Sequence, residues 1–140
     1  MDNTEIQARV AKAMELFKKK YNCAQSVACA FSDKTDVPEE LLFRMTEGLG
    51  HGMGSFDGTC GSIAAASILA GLKHSTGNLD TPDSAKMSEQ ASKACILAFK
   101  EKNGSVTCRE LKGIDTGTPL RGCGGCVKDA VTIIAENLFE

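Results

Sequence analysis

An all-α fold, one compact domain of five or six helices over residues 1–140, is what the sequence predicts. Three observations predict it. Apolar residues recur at three- and four-residue intervals through most segments, the signature of helices with one buried face. No segment alternates apolar and polar residues for the length of a strand; "SVTC" comes nearest and is too short. Aromatic residues make up only 5% and Trp is absent, so the core must be built from Ala, Leu, Ile, Val and Met, which suits closely packed helices. A chain of 140 residues fits one domain with a substantial core.

Residues 3–20 form the first predicted helix, with Ile6, Val10, Met14 and Phe17 on one stripe that Tyr21 continues. Asn3 or Thr4 can cap its start, and Lys18, Lys19 and Lys20 complement the dipole at its end. Asn22 caps a second helix, "CAQSVACAF", whose inner face is Ala24, Val27, Ala28 and Phe31. "SDKTDVP" is a loop, and Pro38 opens a third helix to about residue 47. The glycine-rich connector "EGLGHGMGSFDG" leads to Thr59, a cap for a fourth helix over about 60–73. "HSTGNLDTPD" is a second loop. The segment 83–102 is a fifth helical stretch, with Met87, Ala91, Ala94, Cys95, Ala98 and Phe99 inward and Gly104 as its stop. Thr107 and Glu110 stand at capping-box spacing at the start of a short helix over about 108–112. After the irregular "GIDTGTPLRG", a last helix covers about 123–139, with Val127, Ala130, Val131, Ile134, Ala135 and Leu138 inward.

Net charge is −2 and no basic patch stands out, which argues against nucleic acid as a partner. No stretch approaches the roughly 18 uninterrupted apolar residues of a membrane span. The N-terminal "MDNTEIQARV" is charged and polar, unlike a signal peptide, so a cytoplasmic protein is expected. There are seven cysteines: Cys23, Cys29, Cys60, Cys95, Cys108, Cys123 and Cys126. An odd number cannot all pair within one chain, and a static disulfide framework does not suit a cytoplasmic protein. Catalytic, redox or metal roles remain, together with plain burial.

Cysteine placement carries the functional signal. Asn22-Cys23, Thr59-Cys60 and Thr107-Cys108 each put a thiol directly after a capping residue, and Gly122-Cys123 is a fourth, weaker case. The first turn of a helix offers unpaired N–H groups and a partial positive charge. A thiolate there is stabilised over the thiol, and the pKa falls from ~8.5 to between roughly 3.5 and 7.5. The thiolate is both the nucleophile and the metal ligand. Four such sites on one small helical chain predict that the helix starts converge. Cys29 and Cys95, among apolar neighbours, read instead as small buried hydrophobes.

Cys123-Gly-Gly-Cys126 is a CxxC without the strand and βαβ unit of a thioredoxin-like site. On a helix, positions i and i+3 share one face with Cα atoms roughly 5 Å apart, within disulfide range and suited to two ligands of one metal. A zinc ribbon needs a second CxxC at short range, and there is none. The row Gly48, Gly50, Gly52, Gly54 lacks the strand and the GK[ST] of a phosphate loop, so it reads as backbone passing close to Cys60 or its ligand. His51 lies in that row as a base, a ligand or a solvated loop side chain, and His74 as a helix C-terminal cation. No Ser-His-Asp set and no HExxH motif occur.

"YNCAQSV", "GLGHGMGSFDGTCGSIAA", "TCREL" and "CGGCVKDAV" together resemble the redox-active protein family named for the pattern C-GCAxxG-C-C, across nearly the whole chain. The resemblance places the family cysteines on Cys23, Cys60, Cys108 and Cys123, with Cys126 an extra thiol or itself the fourth. The central CGAxxG motif stands as Cys60-Gly61-Ser62-Ile63-Ala64-Ala65, with Ser for Ala and Ala for the final Gly, both small replacements. It implies cysteine-based redox activity with no named reaction.

Two functional readings follow. In the first, the protein is a thiol oxidoreductase or electron carrier: Cys60 attacks a disulfide or oxidised substrate, and Cys123 or Cys126 resolves it, with Cys23 and Cys108 beside them. In the second, Cys23, Cys60, Cys108 and Cys123 close an all-sulfur shell around zinc or an iron–sulfur cluster. The cofactor is either none or one of these. The partner is an unidentified redox protein or small molecule, and a homodimer is open because the Ala-rich helices could pack across two chains.

Overall fold

The computed structural model describes residues 1–140 and is all-helical. Seven right-handed α-helices form, where five or six were expected: α1 Asn3–Lys18, α2 Cys23–Cys29, α3 Glu39–Thr46, α4 Gly61–His74, α5 Ala85–Asn103, α6 Cys108–Lys112 and α7 Cys123–Leu138. The short helix expected at 108–112 forms as α6, five residues that tertiary hydrogen bonds hold in place. A helix this short is not stable on local terms alone.

The central layer packs α4 against α5, α2 and α7, while α1 lies on α7 and α2. One cluster of 23 buried residues runs through these helices, with Val27, Ile63, Leu69, Phe99, Val127, Val131 and Ile134 wholly buried. Burying each such side chain contributes about 1.5–3 kcal/mol. Ala24, Ala28, Ala65, Ala66, Ala70, Ala130 and Ala135 are fully buried as well, which brings the helix axes close. Two expectations for α5 fail: Met87 is 57% exposed and Ala94 is exposed. The apolar stripe of α5 narrows to Ala91, Cys95, Ala98 and Phe99 because α4 and α7 cover only that side.

Capping differs from expectation at three places. Asp2 caps α1, accepting from the Glu5 N–H at 2.8 Å, so the helix begins at Asn3 itself. Thr59 does not cap α4, whose N-cap is Cys60. Thr107 is the N-cap residue of α6 without a side-chain hydrogen bond, and Glu110 accepts from the Ser105 hydroxyl at 2.7 Å instead of closing a capping box. Both threonines are engaged elsewhere, in an antiparallel bridge between Thr59 and Thr107. Around it the Cys60 N–H donates to the Val106 carbonyl at 2.6 Å and the Cys108 N–H to the Gly58 carbonyl at 3.0 Å. That clip ties the start of α4 to the start of α6. Asn22 caps α2 as predicted, in a reciprocal capping box with Gln25.

The glycine-rich connector makes a left-handed turn. His51, Gly52 and Met53 take φ of 55°, 60° and 61°, and Gly54 follows at 79°. For non-glycine residues this hand costs roughly 1–2 kcal/mol each. The turn is retained because the Gly54 N–H donates to the Gly50 carbonyl and the Gly58 N–H to the Gly52 carbonyl, at 2.9 and 3.0 Å. Its close approach is to Cys108, not to Cys60: a Cβ on Gly52 would stand 2.5 Å from the Cys108 Cβ. No helix is long and apolar enough to cross a membrane.

Candidate functional site

Four helix starts open onto one cavity. Cys23 and Cys108 are the first residues of α2 and α6, Cys123 is the first of α7, and Cys60 is the N-cap of α4. All four line a single small cavity together with Cys126, His51, Gly61, Ser62, Leu111, Lys112 and Arg121. Its interior of about 20 Å³ has room for about one water molecule. All seven cysteines are free thiols. Cys29 and Cys95 lie elsewhere, Cys29 under α3 with its sulfur 3.8 Å from the Glu39 carbonyl and Cys95 within the main core.

Cys126, one turn into α7, shares this cavity with Cys60. Cys126 is the largest influence lowering the Cys60 thiol, to about 6, while burial opposes it; Cys126 Sγ itself stands 4.0 Å from the Arg121 carbonyl. Smaller lowering influences come from the α4 start, from Ser62 and the backbone at Ile63. Ser62 and Ile63 are the N2 and N3 residues, the two that an N-cap side chain reaches. No side-chain hydrogen bond caps α4; the Cys60 sulfur lies at the helix start, where the dipole favours an anion. Cys126 shifts the opposite way, upward, chiefly through Cys60 and then through burial. One proton is thus held on Cys126 beside a Cys60 thiolate.

Cys23 and Cys108, on the same cavity, shift upward. Burial pushes Cys23 up, partly offset by the His51 backbone N–H that the left-handed turn aims at it. Burial also pushes Cys108 up to about 11, with the Cys60 charge adding and Lys112 opposing. Cys23 sits against α4: a Cβ on Gly61 would lie 2.7 Å from the Cys23 sulfur, so the glycine after Cys60 is what lets the two helix starts touch. The exposed His51 ring lies edge-on to Phe56 at the cavity rim.

Arg121 and Asp129 brace the α7 wall. The Asp129 carboxylate, 4% exposed, accepts from Arg121 Nε at 3.0 Å and Lys102 Nζ at 2.8 Å. Burial alone would raise its pKa, but those two cations hold it below the usual carboxylate range. Arg121 reaches Asp129 across Gly125, where any Cβ would collide with the guanidinium. This accounts for the second glycine of the CGGC segment. Sequence reasoning missed Ser62, Arg121 and Asp129. Only Ser62 left a signal, as the departure from the family motif two residues after Cys60.

The four-sulfur shell is not assembled: no three His, Cys, Asp or Glu side chains are grouped to hold one metal ion. The sulfurs share the cavity walls but not a common centre.

An all-helical, cysteine-lined site of this kind defines a class of small thiol proteins. Residues 21–137 match the family model described as "Putative redox-active protein (C_GCAxxG_C_C)", and the chain belongs to that family. No curated protein and no solved structure matches it significantly.

Proposed function

We propose that the whole chain works as one domain that carries out thiol–disulfide exchange, with Cys60 as nucleophile and Cys126 as resolving thiol. Membership of a redox-active family supports the class of chemistry. The observation that carries the assignment of roles is that Cys60, on the N-cap of α4, and Cys126 line one cavity and each is the largest influence on the other's acidity. A thiolate at the optimum for exchange has a pKa near ambient pH, and Cys60 meets that condition.

The steps balance. Cys60 thiolate attacks one sulfur of a substrate disulfide, forming a mixed disulfide and expelling the other sulfur as a thiolate. Once Cys60 is in that bond it no longer bears the charge that held the proton on Cys126. Cys126 then ionises more readily and attacks Cys60 Sγ. Its proton goes to the departing thiolate, and the Cys60–Cys126 disulfide remains. The substrate has gained two electrons, and an external dithiol returns the protein to its reduced state. Cys23, Cys108 and Cys123 stand beside the pair as further thiols in reach of the same cavity.

Mild oxidation of anaerobically purified protein, followed by peptide mapping, tests this. The expected result is loss of two thiols per chain and a Cys60–Cys126 cross-link, with a mixed disulfide trapped on Cys60 in Cys126→Ser. A cross-link confined to Cys123–Cys126, or stoichiometric zinc or iron in the purified protein, would overturn it.

A further inference from the structure

The Ser62 hydroxyl is the chain's one buried side-chain oxygen or nitrogen without a hydrogen-bond partner. Other buried hydroxyls are satisfied: Ser26 donates to the Tyr21 carbonyl at 3.4 Å, Thr46 to the Leu42 carbonyl at 2.7 Å, and Ser105 to Glu110 at 2.7 Å. Ser62 is 0% exposed, lines the thiol cavity, and stands at the second position of the helix that Cys60 begins. A buried hydroxyl left unpaired is costly, and Ala in the same place would be a better helix former. It lines the same cavity as the Cys60 sulfur, which lies two residues back at the same helix start.

We infer that Ser62 is a positioning residue whose hydroxyl donates a hydrogen bond to the reduced Cys60 sulfur and so biases the Cys60–Cys126 pair toward its dithiol form. This rests on the pairing proposed above. Reduction takes the disulfide, two electrons and one proton to Cys60 thiolate plus Cys126 thiol. A hydroxyl donates strongly to a thiolate and weakly to a disulfide sulfur. The donor therefore stabilises one side of the equilibrium, making the pair a stronger oxidant than it would be with Ala at position 62.

The test compares the full chain with Ser62→Ala in glutathione redox buffers. Wild type reacts as the disulfide plus two glutathione thiols in equilibrium with the dithiol plus glutathione disulfide. Acid quenching, alkylation and peptide mapping read the fraction of Cys60–Cys126 disulfide. Ser62→Ala is expected to shift the equilibrium about tenfold toward the disulfide, equivalent to a potential lower by about 30 mV. The oxidised variant should melt at the same or a higher temperature than oxidised wild type, since its hydroxyl has no strong partner in that state. An unchanged equilibrium, or a shift toward the dithiol, overturns the inference. Should wild type form no Cys60–Cys126 disulfide in any buffer, the pairing itself fails. Ser62 is then judged by the Cys60 pKa, read from thiolate absorbance against pH. A higher pKa in Ser62→Ala supports the hydrogen bond, and an unchanged one overturns it.

Discussion

Cys60 and Cys95 are both shut away from solvent, 6% and 0% exposed, yet their thiols move in opposite directions. Cys60 falls to about 6, and Cys95 rises to about 11. Burial acts on both in the same sense, against the charged form. At Cys95 nothing answers it: the residue sits mid-helix, where every backbone N–H is already spent on the helix ladder. Cys60 stands at a helix start, where the dipole favours an anion, and Cys126 and Ser62 lower its thiol from beside it. Neighbouring groups, and not exposure, therefore separate a chemical thiol from a packing one in this molecule.

The comparison breaks most easily on reactivity. At pH 7 ionisation alone favours Cys60 over Cys95 by about ten-thousandfold. The lower intrinsic nucleophilicity of an acidic thiol offsets about a hundredfold of that. An iodoacetamide rate about a hundredfold faster at Cys60 is expected, and Cys60→Ser should remove the fast phase while Cys95→Ser leaves it intact. Equal labelling of the two would dissolve the distinction.

Removing the principal neighbour sharpens it. A hydrogen bond to a charged group is worth about 1.5–3 kcal/mol, and one pKa unit about 1.4 kcal/mol. Cys126→Ala should thus raise the Cys60 pKa by about one to two units, read from thiolate absorbance against pH. The same substitution at Cys123 should leave Cys60 nearer its wild-type value, because Cys123 is not among the groups that lower it.

A slower readout is stability against pH. Cys60 holds its proton in the unfolded chain up to about 9 but loses it near 6 when folded. Across that window the unfolded state binds more protons, so reduced protein gains stability as pH rises from 6 to 9 and loses it as pH falls through 6. The raised thiols, Cys23, Cys29, Cys95, Cys108 and Cys126, act in the reverse sense but only above 9. Thermal melts of the reduced chain should show the gain, and Cys60→Ser should flatten it. The smallest effect belongs to Cys95→Ala, expected to cost about 1 kcal/mol of packing in denaturant melts with no change in labelling of Cys60.

Much of the site was legible in local chemistry. Asn22, Thr107 and Gly122 each mark the position before a helix, and the cysteine that follows each one is where the structure puts it, at a helix start. Thr59 misled because a threonine before a helix reads as a cap, while its partner across the bridge, Thr107, lies far along the chain. Glu110 misled likewise, its carboxylate drawn to Ser105. The CxxC spacing pointed to Cys123 and Cys126 as each other's neighbours, but the largest influence on the Cys126 thiol is Cys60, at the start of another helix.

By itself the sequence determined the helices and the placing of four thiols at or beside their N-termini. Periodicity and capping depend on residues within a turn of each other, and those are read directly along the chain. Tertiary structure alone decided which sulfurs meet and which one keeps the charge. Those outcomes depend on the clip between residues 58–60 and 106–108, on a glycine thin enough for Cys23 to lie against α4, and on a proton held by a thiol on another helix.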